Sequence, residues 1–360
     1  MARIVTVNGE KSPGDLGLTM VHVHLLYTVS TSYVGVTKGS GPVSAPPVPP
    51  ASDQLLAEKP ITIEILGELR RHIYANKNIL SFTDVDESIK ELMFYKMAGG
   101  ASVVECSLPG IGRDPVGLRK ISAATGVNVI CSTGWYTAPS HPAFVGEHSI
   151  DELLERMIQE LTVGIDDTGI RAGFIKVALS GASPDVAFTG DEEKVLRAAA
   201  RAQAKTGAGL NIHPVHHFGH ARPYDTYVSI LKEEGACLDK CCMAHLDFWC
   251  PNIEYQKAVL KHGVIIGFDG FGIEYYGSPG RRYATDRMRV DAVLELVKAG
   301  YADQMILSNE VGFRIGLRKL GGYGFAHVLE NIVPELRYYG VTEDQIHKMI
   351  VENPKRLLAF

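Results

Sequence analysis

The chain has 360 residues, a formal net charge of −5 and 46 % hydrophobic residues. This composition excludes a disordered chain. The lack of a basic stripe argues against a nucleic-acid partner. No apolar run reaches the ~18 residues that a membrane span needs. Six cysteines without a CxxC pair, and a start too poor in apolar residues for a signal peptide, predict a cytoplasmic protein without a disulfide framework.

The first elements are a hairpin, a strand and a long loop. Residues 3–7 alternate in polarity and meet Asn8-Gly9, which is typical of a β-hairpin. Residues 18–26 form an apolar run that predicts the first strand of a larger sheet. Residues 39–60 contain six prolines and show no periodicity. We therefore expect a long loop over 30–60, and its length is typical of a segment that covers a binding site.

From residue 83 onward, short apolar strands alternate with helices that begin at capping residues and end at glycines. Thr83 with Asp86 predicts the start of the first of these helices. The other predicted helices span 115–125, 149–164, 191–206, 224–234, 253–262, 286–299, 325–338 and 342–350, the last of them ending before Asn353-Pro354. The predicted strands after the first span 101–106, 127–131, 173–179, 209–213, 241–245, 264–269 and 305–308.

Eight strands with continuous apolar runs predict a parallel sheet that is buried on both faces. In a chain of this length, eight strand–helix units favour a single (β/α)₈ TIM barrel over residues 1–360, preceded by the N-terminal hairpin. The alternative is an open, doubly wound sheet. It is disfavoured because no glycine-rich phosphate-binding turn follows the first strand, and residues 39–41 (Gly-Ser-Gly) do not precede a helix.

Polar side chains occur repeatedly where the predicted strands end. Active sites of barrels lie at the carboxyl ends of the strands, so such residues are candidates for chemistry. The set consists of His22, His24, Lys176, His213, His245, Asp269 and Glu310.

His22 and His24 lie two residues apart, and the alternation of a strand places both on one face. Two imidazoles in this arrangement can bind one metal ion, although histidines can also cap a strand through hydrogen bonds alone. His213 and His245 each end a separate apolar run, which favours the metal site. Imidazole and carboxylate ligands suit zinc first, with manganese or cobalt as alternatives.

Lys176 lies within a strand that the barrel buries. A buried ammonium is costly, so the side chain must be paired, deprotonated or modified. Carboxylation by carbon dioxide would give a carbamate that could bridge two cations. Pairing with Glu105 or Glu310 is the alternative.

Together these residues resemble a known family. The chain is similar to the phosphotriesterase-like branch of the amidohydrolase superfamily, and most closely to the resiniferatoxin-binding, phosphotriesterase-related proteins. The resemblance runs from about residue 3 to the end of the chain. It is carried by segments 17–25 (GLTMVHVHL), 110–115 (GIGRDP), 132–136 (STGWY), 172–178 (AGFIKVA), 243–246 (MAHL), 266–269 (IGFD), 306–310 (ILSNE) and 352–355 (ENPK).

The resemblance implies a metal-dependent hydrolase with two divalent metal ions. His22 and His24 would hold the more buried ion, His213 and His245 the more exposed one, and Lys176 as the carbamate would bridge them. Glu310 stands where the family usually has an aspartate that binds metal and moves protons. A hydroxide between the ions would attack the substrate.

The expected reaction is hydrolysis of an ester, lactone, amide or phosphate ester. Because Glu310 replaces the usual aspartate, a lyase or decarboxylase on the same centre is an alternative, and so is a ligand-binding barrel with weak turnover. We expect Tyr136, Asp269, Gly270 and Arg314 to contact substrate, and Gly270 to leave a roomier pocket than the larger residue of many relatives. The expected partner is a small molecule rather than nucleic acid or a membrane, and the expected assembly is a homodimer.

Overall fold

A computed structural model describes residues 2–29, 55–180, 188–214, 223–248, 252–278 and 281–360. Its strands in chain order are β1 (Ile4–Thr6), β2 (Gly9–Lys11), β3 (Thr19–Val23), β4 (Tyr27–Thr28), β5 (Ser81–Phe82), β6 (Ser102–Glu105), β7 (Asn128–Thr133), β8 (Phe174–Ala178), β9 (Leu210–His213), β10 (Cys241–Met243), β11 (Ile265–Phe268), β12 (Tyr276–Ser278), β13 (Arg281–Arg282) and β14 (Met305–Leu307).

The main sheet has eight strands in the order β3-β6-β7-β8-β9-β10-β11-β14, and neighbouring strands are parallel. Its two edges meet, because the amide of His24 donates to the carbonyl of Glu310 at 3.0 Å and Val23 forms a parallel bridge with Glu310. The predicted (β/α)₈ barrel is therefore confirmed. The antiparallel pair β1–β2 confirms the N-terminal hairpin.

Helices surround the barrel. Their bounds are Ile63–Arg71, Val85–Met97, Pro115–Thr125, Ala143–Glu147, Ile150–Thr162, Gly190–Thr206, Pro223–Glu233, Ile253–Leu260, Asp286–Lys298, Val333–Tyr338, Glu343–His347 and Asn353–Leu358. No helix within the described residues is both long and apolar enough to cross a membrane.

Capping side chains begin several of these helices, as the sequence predicts. Ser149 forms a capping box with Glu152. The predicted start at Thr83 is wrong by one residue, because Asp84 is the N-cap and its carboxylate accepts from the amide of Glu87 at 3.0 Å. An aspartate caps at least as well as a threonine, and here it occupies the N-cap position.

The last two predicted helices each contain a π-helical turn in the structure. A π-helical turn, Val328–Ile332, precedes Val333–Tyr338, and another, Lys348–Glu352, follows Glu343–His347. The predicted end before Asn353-Pro354 is also wrong, because residues 353–358 form a further helix. Proline is tolerated there since the first helical turn does not need its missing N–H.

The inward-facing side chains of the barrel change from apolar to polar along the strands. An apolar cluster fills the amino-terminal half and includes Val21, Phe174, Cys242, Ile265 and Ile306. Two residues further along β8 and β14, the inward positions carry the polar residues Lys176 and Ser308. The amino-terminal half of the barrel interior is thus apolar, and the polar groups lie at its carboxyl end.

The predicted loop over 30–60 is described only from residue 55 onward, so residues 30–54 and the way they cover the barrel lie outside the described residues.

Candidate metal centre

The first histidine pair comes from β3, where an irregularity in the register with β6 lies between Met20 and Val23. A bulge of this kind changes which side chains face inward, so that His22 follows the inward Val21 and Val23 packs outward. His22 and His24 are both buried, and their ring centroids lie 5.5 Å apart. The irregular strand therefore presents both imidazoles at the carboxyl end of the barrel.

The second pair, His213 and His245, lies across the barrel from the first. His213 ends β9, and His245 follows β10 in a left-handed conformation with a φ of 59°. Nε2 of His245 lies 2.8 Å from Nδ1 of His213. A positive φ is uncommon for a residue other than glycine and is typical of functional sites.

Asp269 joins the two pairs. One carboxylate oxygen lies 2.7 Å from Nδ1 of His22, and the other lies 2.7 Å from Nδ1 of His245. Although burial alone would raise the pKa of Asp269, the charges of His245 and His22 and their hydrogen bonds lower it well below its usual range. Asp269 is therefore a carboxylate that accepts both Nδ1–H groups. In its neutral form, each histidine then directs the lone pair of Nε2 into the site, as a metal ligand must.

Burial, reinforced by the charge of Lys176, lowers the pKa of His22 to about 3. This imidazole is therefore neutral at physiological pH, which is the form that coordinates metals. In His245 the charges of Asp269 and Glu310 outweigh burial and raise the pKa. The two histidines thus differ in proton affinity although they share one carboxylate.

Glu310 lies between the pairs. Its Oε1 is 3.8 Å from Nε2 of His22, 3.7 Å from Nε2 of His24 and 3.6 Å from Nε2 of His245. Burial alone would raise the pKa of Glu310, but the nearby imidazoles of His245, His24 and His22 outweigh it and lower the pKa to about 2. The carboxylate is held on a strained turn, since Glu310 has a φ of 39° and Val311 one of 49°.

Lys176 is fully buried on β8. Its Nζ donates to Oδ1 of Asn211 at 2.6 Å and lies 3.3 Å from Nε2 of His22. Neither Glu105 nor Glu310 pairs with it, so that the alternative of a structural ion pair with either residue is wrong. Among the described residues, its hydrogen-bond acceptor is thus a neutral amide rather than a carboxylate.

These residues form groups that could hold a metal ion. His22, His24 and Glu310 can bring one ligand atom each within 4.8 Å of one another, and so can His213, His245 and Glu310. Three neutral or anionic donors of this kind are typical of zinc and related ions. His22, His245 and Asp269 form a third such group, but Asp269 contacts the Nδ1 atoms on the outer side of both rings.

A cavity of about 110 Å³ opens in front of the histidines. His24, His213 and Glu310 form part of its wall, and the rest is largely aromatic. The hydroxyls of Tyr74 and Tyr283 lie 3.1 Å apart. No lysine or arginine is found among the described residues of the wall. The aromatic side chains are Tyr27, Tyr74, Tyr136, Phe248, Tyr283 and Phe313.

Comparison with known proteins agrees with this geometry. The model of the phosphotriesterase family matches residues 2–358. This chain belongs to the phosphotriesterase family. The N-acetyltaurine hydrolase of Xenopus tropicalis is 32 % identical over 363 residues, which cover 99 % of this chain and 98 % of that protein.

Solved structures of the phosphotriesterase type are similar along the whole chain. A resiniferatoxin-binding protein from Rhodobacter sphaeroides is 33 % identical with a TM-score of 0.89, and the match covers 99 % of this chain and 94 % of that one. A mutant PTE-like lactonase from Deinococcus radiodurans is 27 % identical with a TM-score of 0.74, and the match covers 99 % of both chains. These comparisons confirm the predicted family and a phosphotriesterase-like hydrolase.

The structure brings the predicted metal ligands together but separates the predicted substrate contacts. Tyr136 lines the cavity, and its ring centroid lies 5.4 Å from that of His213. Asp269 holds histidines instead of facing the cavity. Arg314 does not line it either, because its guanidinium pairs with Glu87 at 2.9 Å. Neither of these two charged residues lines the cavity.

The structure shows no open space beside Gly270, where a roomier pocket was expected. A Cβ added there would lie 2.7 Å from the ring of Phe248 and 2.9 Å from Nη2 of Arg289. The Phe248 ring stacks on His245 with centroids 4.1 Å apart. In this member of the phosphotriesterase family, Phe248 occupies the volume that a larger residue at 270 would need.

Sequence reasoning missed several residues that support this phosphotriesterase-type centre. Asn211 could have been found, because it occupies an inward position two residues before His213. Ser107 lies after β6, and its hydroxyl contacts Nδ1 of His24 at 2.9 Å. No periodic signal marks Phe248 or Tyr74, which reach the cavity from segments outside the strands.

Proposed function

We propose that this chain is a metal-dependent hydrolase that cleaves an amide, ester, lactone or phosphate ester bond of a small molecule at a centre of two divalent cations. The observation that carries the proposal is the convergence of Nε2 atoms from both histidine pairs on one carboxylate oxygen of Glu310, at 3.6 to 3.8 Å. Zinc is the first candidate metal, with manganese and cobalt as alternatives.

The ligands are proposed as His22 and His24 for one ion, His213 and His245 for the other, with Lys176 and Glu310 completing the set. Lys176 would add carbon dioxide to its amine, releasing one proton and forming a carbamate anion. The carbamate nitrogen keeps one N–H, for which Oδ1 of Asn211 is an acceptor. Two cations bound here would polarise the scissile carbonyl or phosphoryl oxygen and lower the pKa of a bound water toward ~7.

Glu310 is the proposed proton acceptor during attack on the substrate. Its lowered pKa, about 2, keeps it a carboxylate at neutral pH, so it can take the proton of the attacking water and pass it to the leaving group. Asp269 and Asn211 orient their partners without contacting substrate. Tyr136 and the other aromatic side chains exclude water from the neutral part of the substrate.

The amide bond of a small N-acyl compound is the first substrate class to examine, since a relative with 32 % identity over the whole chain is an N-acetyltaurine hydrolase. Lactones are the second class, because a similar structure is that of a PTE-like lactonase. The aromatic wall of the cavity suits a neutral acyl or lactone portion. We further propose a cytoplasmic homodimer, which light scattering and fractionation would test.

The test combines metal analysis with a substrate panel. Protein produced with zinc or manganese and bicarbonate should contain close to two metal equivalents per chain. It should hydrolyse at least one member of a panel of N-acyl amines, including N-acetyltaurine, and of lactones, esters and phosphotriesters. Lys176→Ala should lower the metal content, and a short carboxylic acid should partly restore it. His347→Ala is the control, because that histidine is exposed and lies outside the site. Less than half an equivalent of metal in the wild-type protein would refute the proposal.

A further inference from the structure

Glu192 lies in the first turn of the helix Gly190–Thr206, which follows the strand that carries Lys176. It forms a capping box with Thr189. The amide of Thr189 donates to Oε2 of Glu192 at 2.8 Å, and the hydroxyl of Thr189 accepts from the amide of Glu192 at 3.3 Å. A threonine followed three residues later by a glutamate is common at the start of a helix. Glu192 is nevertheless fully buried, which a glutamate almost never is unless it has further partners.

The other carboxylate oxygen of Glu192 joins two loops at the carboxyl end of the barrel. Oε1 accepts from the amide of Ala138 at 2.9 Å, in the loop after β7. It also accepts from the amide of Ser180 at 2.9 Å and from its hydroxyl at 2.6 Å, in the loop after β8. A buried carboxylate is costly unless donors surround it, and the helix N-terminus adds to their effect. Three donors on one oxygen therefore make Glu192 a tie between two neighbouring loops.

The loop after β7 carries Tyr136, whose ring lines the cavity and lies 5.4 Å from that of His213 between centroids. The carbonyl of Tyr136 accepts from Nε2 of His141 at 2.7 Å. Since His141 belongs to the same short loop, this bond moves together with the loop. The bond from Ala138 to Glu192 instead spans 54 residues of sequence and fixes the loop to the outer layer of helices.

We propose that Glu192 is a positioning residue for substrate binding, because by tying the loops after β7 and β8 to one helix it holds the ring of Tyr136 against the cavity. The effect on substrate rests on the proposed function, but the tie itself does not depend on a metal ion. Without the carboxylate, the amides of Ala138 and Ser180 lose their acceptor, and the loop after β7 opens toward water to satisfy them. The proposed metal ligands on the strands stay in place, so the effect falls on binding.

A second capping box in the chain separates this role from that of a helix cap. Glu152 has the same position in the helix Ile150–Thr162, and its carboxylate accepts from the amide and the hydroxyl of Ser149, each at 2.8 Å. These hydrogen bonds lie at the exposed surface. Glu152→Met therefore removes a cap alone, whereas Glu192→Met removes a cap and the tie. Both substitutions should destabilise their helix, and only the second should loosen the loops.

Glu192→Gln is the conservative variant. Its carboxamide has one oxygen, and since three donors face Oε1 and one faces Oε2, that oxygen should turn to the loops. This variant should keep the tie and weaken the cap. Ser180→Ala removes one of the three donors to Oε1 and leaves the carboxylate buried as before. It tests the tie even when Glu192→Met does not fold.

The first experiment follows the loop and needs neither metal nor substrate. The chain contains two tryptophans, Trp249 and Trp135, and Trp135 is buried in the loop after β7. In the full-length protein with Trp249→Phe, acrylamide quenching of fluorescence reports the exposure of Trp135. The quenching constant should rise by at least about threefold in Glu192→Met and detectably in Ser180→Ala, since local opening exposes buried side chains. Glu192→Gln and Glu152→Met should keep the parent value.

The second experiment measures steady-state kinetics on the best substrate of the panel at equal metal content. Glu192→Met should raise KM roughly 10-fold and change kcat by less than about twofold, as expected when a misplaced wall weakens binding without affecting the chemical step. Glu192→Gln and Glu152→Met should keep the wild-type KM. A wild-type KM in Glu192→Met, or an equal rise in Glu152→Met, would overturn the role in binding.

The quenching series decides the tie separately from the activity. A parent quenching constant in Glu192→Met, or in Ser180→Ala when Glu192→Met does not fold, would overturn the inference. An equal rise in Glu152→Met would also overturn it, because the cap alone would then explain the opening. If no member of the panel is cleaved by the wild-type protein, the proposed function fails, and the quenching series still shows whether Glu192 ties the two loops.

Discussion

The carboxylate of Asp269 binds Nδ1 of His245 at 2.7 Å through one oxygen, and its other oxygen binds Nδ1 of His22 at the same distance. One buried side chain therefore orients one histidine from each pair. The two proposed metal sites share this support, so a single substitution should affect both. Separate carboxylates would let the two sites be weakened one at a time.

The first prediction concerns Asp269→Asn. The amide keeps the size of the side chain, but its nitrogen cannot accept from an Nδ1–H, so one histidine loses its partner and the negative charge is removed from both. Metal affinity should fall roughly 10- to 100-fold, with loss of both equivalents on dialysis against a chelator. Elemental analysis after dialysis measures this. Asp286→Asn is the matched control, since Asp286 also binds a histidine, His327, but outside the centre. Loss of a single equivalent would contradict shared support.

The second prediction concerns Glu310. Glu310→Gln keeps the size of the side chain but removes the proton acceptor, so kcat on the best substrate should fall by a factor of order 10² while KM changes little. Glu310→Asp shortens the side chain by one methylene and withdraws the carboxylate from the three Nε2 atoms, so it should also lower activity on that substrate. Steady-state kinetics at equal metal content measures both. Glu343→Gln, an exposed carboxylate elsewhere, is the control.

Full activity of Glu310→Gln at full metal content would show that another group accepts the proton. Raised activity of Glu310→Asp toward phosphotriesters would instead indicate that glutamate is adapted to a different substrate. Both outcomes are read from the same panel of substrates.

The strand ends make the proposed metal ligands predictable, but they do not make the hydrogen-bond partners of these ligands predictable. An apolar run that ends in a histidine marks that histidine as an inward residue near the mouth of the barrel, and this holds for His213. The partner of His22 lies 247 residues away in the sequence, so only the closed barrel shows that Asp269 faces it. From its position at the end of its own strand alone, Asp269 is therefore predicted to contact substrate.

Arg314 and Gly270 show the same limit of prediction from the sequence. A charged residue or a glycine after a barrel strand suggests a substrate contact, but packing decides what it does. Glu87, from a helix far away in the sequence, pairs with Arg314, and Phe248 fills the volume beside Gly270. Periodicity identifies which residues face inward, but it does not reveal which neighbouring side chain fills the volume beside them.

The third prediction uses that packing. Gly270→Ala should place a methyl group 2.7 Å from the Phe248 ring and destabilise the protein by about 1 to 3 kcal/mol, as overpacking usually does. Because Phe248 stacks on His245, its displacement should also reduce kcat/KM. Phe248→Leu in the same chain should relieve the clash, so that the two substitutions couple in a double-mutant cycle. Urea unfolding and kinetics of the four proteins measure the coupling. Additive effects would show that the methyl group and the ring do not meet.

The fourth prediction concerns a buried ion pair behind the centre. Oδ1 of Asp286 lies 2.9 Å from Nη1 of Arg289, whose Nε binds Asp247 at 3.0 Å. Arg289 is fully buried, so loss of Asp286 leaves its guanidinium with Asp247 as the remaining carboxylate partner among the described residues. Asp286→Asn should therefore lower the free energy of unfolding at pH 7 by about 1 to 3 kcal/mol, the usual cost of losing a buried hydrogen bond to a charged group, while leaving metal content unchanged.

The pH dependence of this loss follows from the pKa of Asp286. Burial alone would raise that pKa, but the hydrogen bond from His327 and the charge of Arg289 outweigh it and lower the pKa below its usual range. A carboxylate whose pKa is lower in the folded than in the unfolded state stabilises the fold above the unfolded value, about 3.9, and loses this contribution as the pH falls through the folded value. The difference between wild type and Asp286→Asn should thus be constant from pH 7 to about 5 and shrink below pH 4. Urea unfolding at a series of pH values measures it, and a difference that stays constant down to pH 3 would show that Asp286 does not carry the charge that balances Arg289.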